Sequence, residues 1–122
     1  MAATLILIVE DNPRDLKLVR EVLQANGFQT LEAATGEAGI ELAREREPAL
    51  ILMDIQLPQM SGREAAKILK SDVNTERIPI VALTASAMKG DRERLLSEGF
   101  DGYIPKPINI KEIAEIVRSY LA

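Results

Sequence analysis

The stretch A-L-I-L-M-D, residues 49–54, decides how the rest of the chain is read. Its apolar residues stand without interruption, and an aspartate closes the run. A short unbroken run with branched side chains suits a strand buried on both faces, as in a parallel sheet. Periodicity alone does not separate such a strand from buried helix; length and β-branching favour the strand. Moving outward, L-I-L-I-V at 5–9 and I-V-A-L at 80–83 have the same character, and Tyr103-Ile104 is a weaker version. Residues 30–34 read as a further strand, with Gln29, Glu32 and small alanines marking it for an edge of the sheet.

Helical signals fill the intervals. Asn12-Pro13 offers an N-cap followed by proline at the first helical position, with Asp15 in the first turn. Leu16, Val19 and Leu23 recur at helical spacing, and Asn26-Gly27 supplies the stop. Further helices fit residues 37–47, ended by Pro48; residues 63–71; and a segment running to about Ser97 before Gly99. The last helix takes Asn109 as its cap and sets Ile110, Ile113, Ile116, Val117 and Tyr120 or Leu121 on one face. Five alternations of buried strand and helix predict one α/β domain over residues 1–122, a doubly wound (βα)5 open sheet with right-handed crossovers. In such a sheet ligands bind beyond the carboxyl ends of the strands, at the topological switch point.

Composition narrows the chemistry. The 122 residues hold 19 acidic and 15 basic side chains, with no Cys, His or Trp. Without Cys there is no disulfide, thiolate nucleophile or thiolate-held metal, a pattern that fits the cytoplasm. Without His, serine-triad chemistry, His-ligated zinc and a phosphohistidine on this chain are excluded. The net charge of −4 argues against a nucleic-acid partner. No run approaches the ~20 apolar residues of a membrane span. The start lacks a basic segment and its apolar run stops at Val9, so no signal peptide is expected.

What remains is carboxylate, hydroxyl and ammonium, and these stand where the strands end. The first strand releases Glu10-Asp11, the third Asp54, the fourth Thr84, and the fifth leads into Lys106-Pro107. Taken singly, each is an ordinary helix cap or solvated loop residue. Together they crowd one edge of one sheet. Three carboxylates in a shallow cleft repel one another unless a cation joins them. Mg²⁺ suits the set, since it takes oxygen ligands and is held by few carboxylates plus phosphate oxygens. A lysine and a threonine hydroxyl on the other rim would contact phosphate oxygens. Asp54, leaving the central strand, is the natural nucleophile for an acyl phosphate.

The pieces I-L-I-V-E-D-N (6–12), L-I-L-M-D-I-Q-L-P-Q-M-S-G (50–62), V-A-L-T-A (81–85) and G-Y-I-P-K-P (102–107) resemble the receiver domains of response regulators, the CheY-like family. The resemblance covers nearly the whole chain. M-D-I-Q-L-P and A-M-K-G-D (87–91) look most like stand-alone receivers of the DivK type. It implies a flavodoxin-like strand order 2-1-3-4-5 and phosphorylation at Asp54. It further implies Mg²⁺ bound directly by Asp11 and Asp54, by Glu10 mostly through water, and by the backbone carbonyl of Gln56. Thr84 would be the switch hydroxyl, Lys106 the phosphate contact and Tyr103 the switch aromatic. Ala85 leaves room for the phosphoryl group, Gln56 and Ser86 flank the route of hydrolytic water, and Pro107 follows a cis peptide. Lys89, Tyr103 and Lys111 would lie on the face that changes.

By the same resemblance the donor is a histidine kinase or a histidine phosphotransfer protein, and the output is binding to a downstream protein. Any catalysis is confined to phosphorylation and dephosphorylation of the chain itself. The expected state is a cytoplasmic monomer or weak dimer, free-standing; the alternative is a receiver cut from a hybrid histidine kinase. A flavodoxin-like FMN carrier fits poorly, because Glu10-Asp11 would repel the FMN phosphate. An aspartyl phosphatase needs a second acid two residues beyond Asp54, where Gln56 stands.

Overall fold

A computed structural model of the chain describes residues 3–85 and 91–121. Ser86, Ala87, Met88, Lys89 and Gly90 lie outside the described residues, and so do the expectations attached to Ser86, to Lys89 and to most of A-M-K-G-D.

The elements alternate as β1 (Leu5–Val9), α1 (Pro13–Ala25), β2 (Gln29–Ala33), α2 (Gly36–Arg46), β3 (Leu50–Asp54), α3 (Gly62–Lys70), β4 (Ile80–Thr84), α4 (Asp91–Ser97), β5 (Gly102–Pro105) and α5 (Ile113–Leu121). All strand pairs are parallel, and the 5-stranded sheet has the order β2-β1-β3-β4-β5, as expected. The central strands are apolar up to their carboxyl ends, where β3 closes on Asp54 and β4 on Thr84, because both of their faces are covered. Leu7, Val9, Ile51, Met53, Ile80 and Ala82 pack against α2, α3 and α4 with Ile40, Ala43, Ala65, Leu69 and Leu95. The alternate residues Ile6, Ile8, Leu50, Leu52, Val81 and Leu83 pack against α1 and α5 with Val19, Leu23, Ile113 and Val117. The period-two alternation of β-structure thus runs between two cores instead of between core and water. β2 is the exposed edge, with Gln29 and Glu32 in solvent.

Helix entries and exits follow the local chemistry. The Asn12 side-chain oxygen accepts from the N–H groups of Arg14 (2.9 Å) and Asp15 (3.2 Å), and Pro13 stands where no N–H is needed. Thr35 caps α2 through the N–H of Ala38, at 3.1 Å. Gly27 takes φ +89° after α1, a conformation open to glycine without penalty.

Several boundaries move from their expected positions. β2 begins and ends one residue early, α2 and α3 each start one residue earlier, and Asp54 and Thr84 are the last residues of their strands. α2 stops at Arg46 because Glu47 turns left-handed at φ 45°, so Pro48 lies beyond the end that it was expected to make. The largest correction concerns α5. Asn109 accepts from the N–H of Lys111 through its side chain and from that of Glu112 through its carbonyl, at 2.9 and 3.1 Å. It therefore caps a single tight turn, and the helix starts only at Ile113. Ile110 precedes the helix, so it does not share its apolar face and is 52% exposed. Near the far end of the helix, Tyr120 lies against β5 so closely that a Cβ added at Gly102 would meet its hydroxyl at 1.8 Å.

Candidate functional site

The strand order reverses between β1 and β3, and the polar residues released by β1, β3, β4 and β5 meet there. Asp11, Asn12, Asp54, Ile55, Gln56, Arg63, Leu83, Thr84, Ala85 and Lys106 line one cleft of about 550 Å³. Glu10 continues the ladder beyond β1, its N–H donating to the Ala33 carbonyl at 2.9 Å, and its side chain is fully buried beneath the cleft. Asp54 is 5% exposed. One of its oxygens accepts from the N–H of Gln56 at 3.0 Å, the other from the Lys106 ammonium at 3.2 Å. Asp11 is exposed at the mouth.

Lys106 is positioned by its own backbone, whose N–H donates to the Thr84 carbonyl at 2.7 Å and extends the β4–β5 pairing. Its ammonium reaches across the sheet edge to Glu10 (2.6 Å), Asp54 (3.2 Å) and Asp15 (3.3 Å). Burial opposes its charge, but the Glu10 hydrogen bond and the Asp54 and Glu10 carboxylates more than offset this and raise its pKa above the ordinary lysine value. The peptide bond from Lys106 to Pro107 is cis, as expected.

One ammonium shared among three carboxylates leaves the cluster short of positive charge. The effect concentrates on Glu10. Its pKa is raised to about 7 by burial and by the neighbouring Asp54 carboxyl, against the opposing pull of Lys106 and of the Asn12 N–H. Glu10, Asp11 and Asp54 each present one carboxylate oxygen, and these lie within 4.8 Å of one another. All are hard oxygen donors, the kind Mg²⁺ selects, and the uncompensated charge on the buried pair is what a divalent cation would relieve. The residues fit the ion.

The structure brings Glu10, Asp11, Asp54, Gln56, Thr84 and Lys106 together. It puts Tyr103 elsewhere: half-buried on β5, beside the core of the α2–α3–α4 side and lining a separate hollow with Pro105, Ile116 and Tyr120. Two members of the site escape a reading based on strand ends. Asp15 belongs to α1, where an acid in the first turn reads as a favourable charge at a helix start. Arg63 belongs to the first turn of α3, where nothing in the sequence separates it from a surface arginine. Gly62 just before it is pressed on the site, its N–H donating to the Ile55 carbonyl at 2.8 Å. A Cβ there would stand 2.1 Å from the Asp54 carbonyl oxygen.

The model of the response regulator receiver domain family matches residues 6–118. The polar-differentiation response regulator DivK of Brucella ovis is 47% identical over 95% of this chain and 94% of its own length. Among solved structures, the receiver domain of a sensor histidine kinase from Pseudomonas aeruginosa PAO1 has a TM-score of 0.90 at 34% identity, covering 98% of both chains; it was solved with a magnesium ion coordinated in its active-site cleft. A chemotaxis response regulator of Vibrio cholerae superposes with a TM-score of 0.92 at 23% identity, over 98% of this chain and 100% of its own, a likeness of fold alone.

Proposed function

Because the chain belongs to the response regulator receiver domain family, we propose that Asp54 is the phosphoacceptor of a two-component signalling or phosphorelay switch. The observation that carries this reading is the position of Asp54, at the end of the central strand, with Lys106 reaching it from the far side of β4.

Asp11 and Asp54, with Glu10 behind them and the backbone carbonyl of Gln56 beside them, would hold Mg²⁺, which supplies charge neutralisation on the phosphoryl oxygens. The Asp54 carboxylate attacks the phosphorus of the donor, a phosphohistidine on a partner kinase or phosphotransfer protein, since this chain has no histidine; the phosphorus–nitrogen bond breaks and the imidazole leaves with its electron pair. Lys106 holds the anionic oxygens by charge, and the Asp54 side chain is fixed toward the cleft by the Gln56 N–H. Thr84, at the end of β4, gains a strong acceptor once Asp54 is phosphorylated. Its movement vacates space for Tyr103 to rotate inward, and the face around α4, β5 and α5, with Lys111, meets a downstream protein. Differential contacts in two states are what such a switch requires. The domain acts on itself and on no separate substrate.

The test is mass spectrometry after incubation with acetyl phosphate and Mg²⁺. One phosphoryl group should appear on the native chain, none without Mg²⁺, and none on Asp54→Asn. Uptake by Asp54→Asn would remove Asp54 from the role of nucleophile.

A further inference from the structure

We infer that Arg63 is a donor-positioning residue, held in reserve by Glu98, whose guanidinium takes the incoming phosphoryl group at the mouth of the cleft. The inference rests on the phosphoacceptor reading of Asp54.

Among the described residues, Arg63 and Lys106 are the two cationic side chains lining the cleft. Lys106 is already shared among Glu10, Asp15 and Asp54. A doubly charged phosphoryl donor approaching this acidic mouth therefore meets, among the described residues, one lining cation that is not engaged with the site's own carboxylates. Arg63 is paired instead with Glu98, on the turn that follows α4. The same side chain forms part of the wall of a second hollow, between α3 and Glu98. It thus stands between two spaces, with an acid in one and the phosphoacceptor in the other. The contact of Gly62 with the backbone of Asp54 and Ile55 fixes the arginine's backbone at the rim, so a change of rotamer is enough to turn the guanidinium inward. Both partners keep about 30% of their side-chain surface in water, and a pair so exposed is readily exchanged for another anion. A planar guanidinium suits phosphoryl oxygens as a bidentate donor.

In the step served, the bond from phosphorus to the acetate oxygen of acetyl phosphate breaks, a bond from phosphorus to an Asp54 oxygen forms, and acetate leaves with the electron pair. Arg63 brings the donor to that geometry and forms no bond in it.

The experiment measures phosphorylation rate against acetyl phosphate concentration at saturating Mg²⁺, for the native chain, Arg63→Gln, Arg63→Lys and Glu98→Gln. Arg63→Gln should raise the half-saturating concentration about five-fold, the value of one exposed charged contact, with a much smaller change in the plateau rate. It should also flatten the salt dependence of that concentration. Arg63→Lys should fall between it and the native chain. Glu98→Gln frees the guanidinium and should lower the half-saturating concentration. Arg63→Gln and Glu98→Gln both break the ion pair, so a merely structural bridge would make them behave alike. Parallel shifts in these two, or an unchanged half-saturating concentration in Arg63→Gln, would overturn the inference while leaving Asp54 as phosphoacceptor. Failure of the native chain to take up phosphate would instead remove the phosphoacceptor reading, and this inference with it.

Discussion

Among the described residues, two lysines tie the sheet of this protein to its surroundings, one at each end of the strands, and they are surrounded very differently. Lys106, at the carboxyl end, faces three carboxylates. Lys70, near the amino end of β4, faces one, Asp101 at 3.2 Å, and completes its valence with the carbonyl oxygens of Ile78 (2.8 Å) and Glu76 (3.2 Å). Asp101 in turn accepts the N–H of Ile80 at 2.8 Å. The Lys70 centre is charge-balanced and saturated with hydrogen bonds. It closes the start of β4 against the end of α3, and it has no capacity left for a ligand. The Lys106 centre carries surplus negative charge, and that surplus is its capacity: a divalent cation would have a place where the protein has left its own electrostatics incomplete.

The strongest way to break this contrast is Asp54→Asn. Phosphoryl uptake should fall below detection by mass spectrometry, while metal-free thermal stability stays equal or rises, because one member of a repelling cluster is neutralised. A lower melting temperature for Asp54→Asn would mean that the cluster is balanced after all.

Next in size is the response to pH. Glu10 has a folded pKa of about 7, above its ordinary 4.5, so the folded state binds its proton more tightly than the unfolded state does. That stability is fully present below about pH 4.5 and is lost as the pH rises through 7. Without metal, the loss should reach roughly 3 kcal/mol at most, read as a falling midpoint in urea titrations between those values. Glu10→Gln should flatten the profile, and an unchanged slope would place the surplus charge elsewhere.

Two smaller effects sharpen the comparison. Asp11→Ala should weaken Mg²⁺ binding about ten-fold, roughly 1.4 kcal/mol, by titration calorimetry; unchanged affinity would remove Asp11 from the ligands. Asp101→Ala should cost about 1 kcal/mol of stability, through the Ile80 N–H left without its acceptor and the loss of a partly exposed ion pair. Phosphoryl uptake in that variant should remain native. Impaired uptake would show that the two ends are coupled.

The central strands were legible in the sequence because burial on both faces writes itself as an unbroken apolar run. The residues closing Leu5–Val9, Leu50–Asp54 and Ile80–Thr84 then fell at one edge by topology alone. The family resemblance added the strand order, and it is the source of the roles proposed for Gln56, Thr84 and Tyr103. What stayed hidden depends on where a side chain reaches. Asp15 and Arg63 come to the cleft from helices, and helical spacing says which face a residue occupies, not that the lysine just after β5 lies 3.3 Å from Asp15. Ile110 misled for a related reason. Its spacing to Ile113 and Val117 is helical, but the Asn109 turn delays the helix until Ile113 and gives Ile110 a different direction.

The way Tyr120 lies across Gly102 has a spectroscopic consequence. The chain has no tryptophan and only two tyrosines, and both, Tyr103 and Tyr120, line the same hollow between β5 and α5. Nearly all of its near-ultraviolet absorption and intrinsic fluorescence therefore originates from one small patch. The unlabelled protein carries its own optical probe there. A change in tyrosine emission on addition of beryllofluoride would time the arrival of a signal at that patch directly, without a dye and without an engineered reporter.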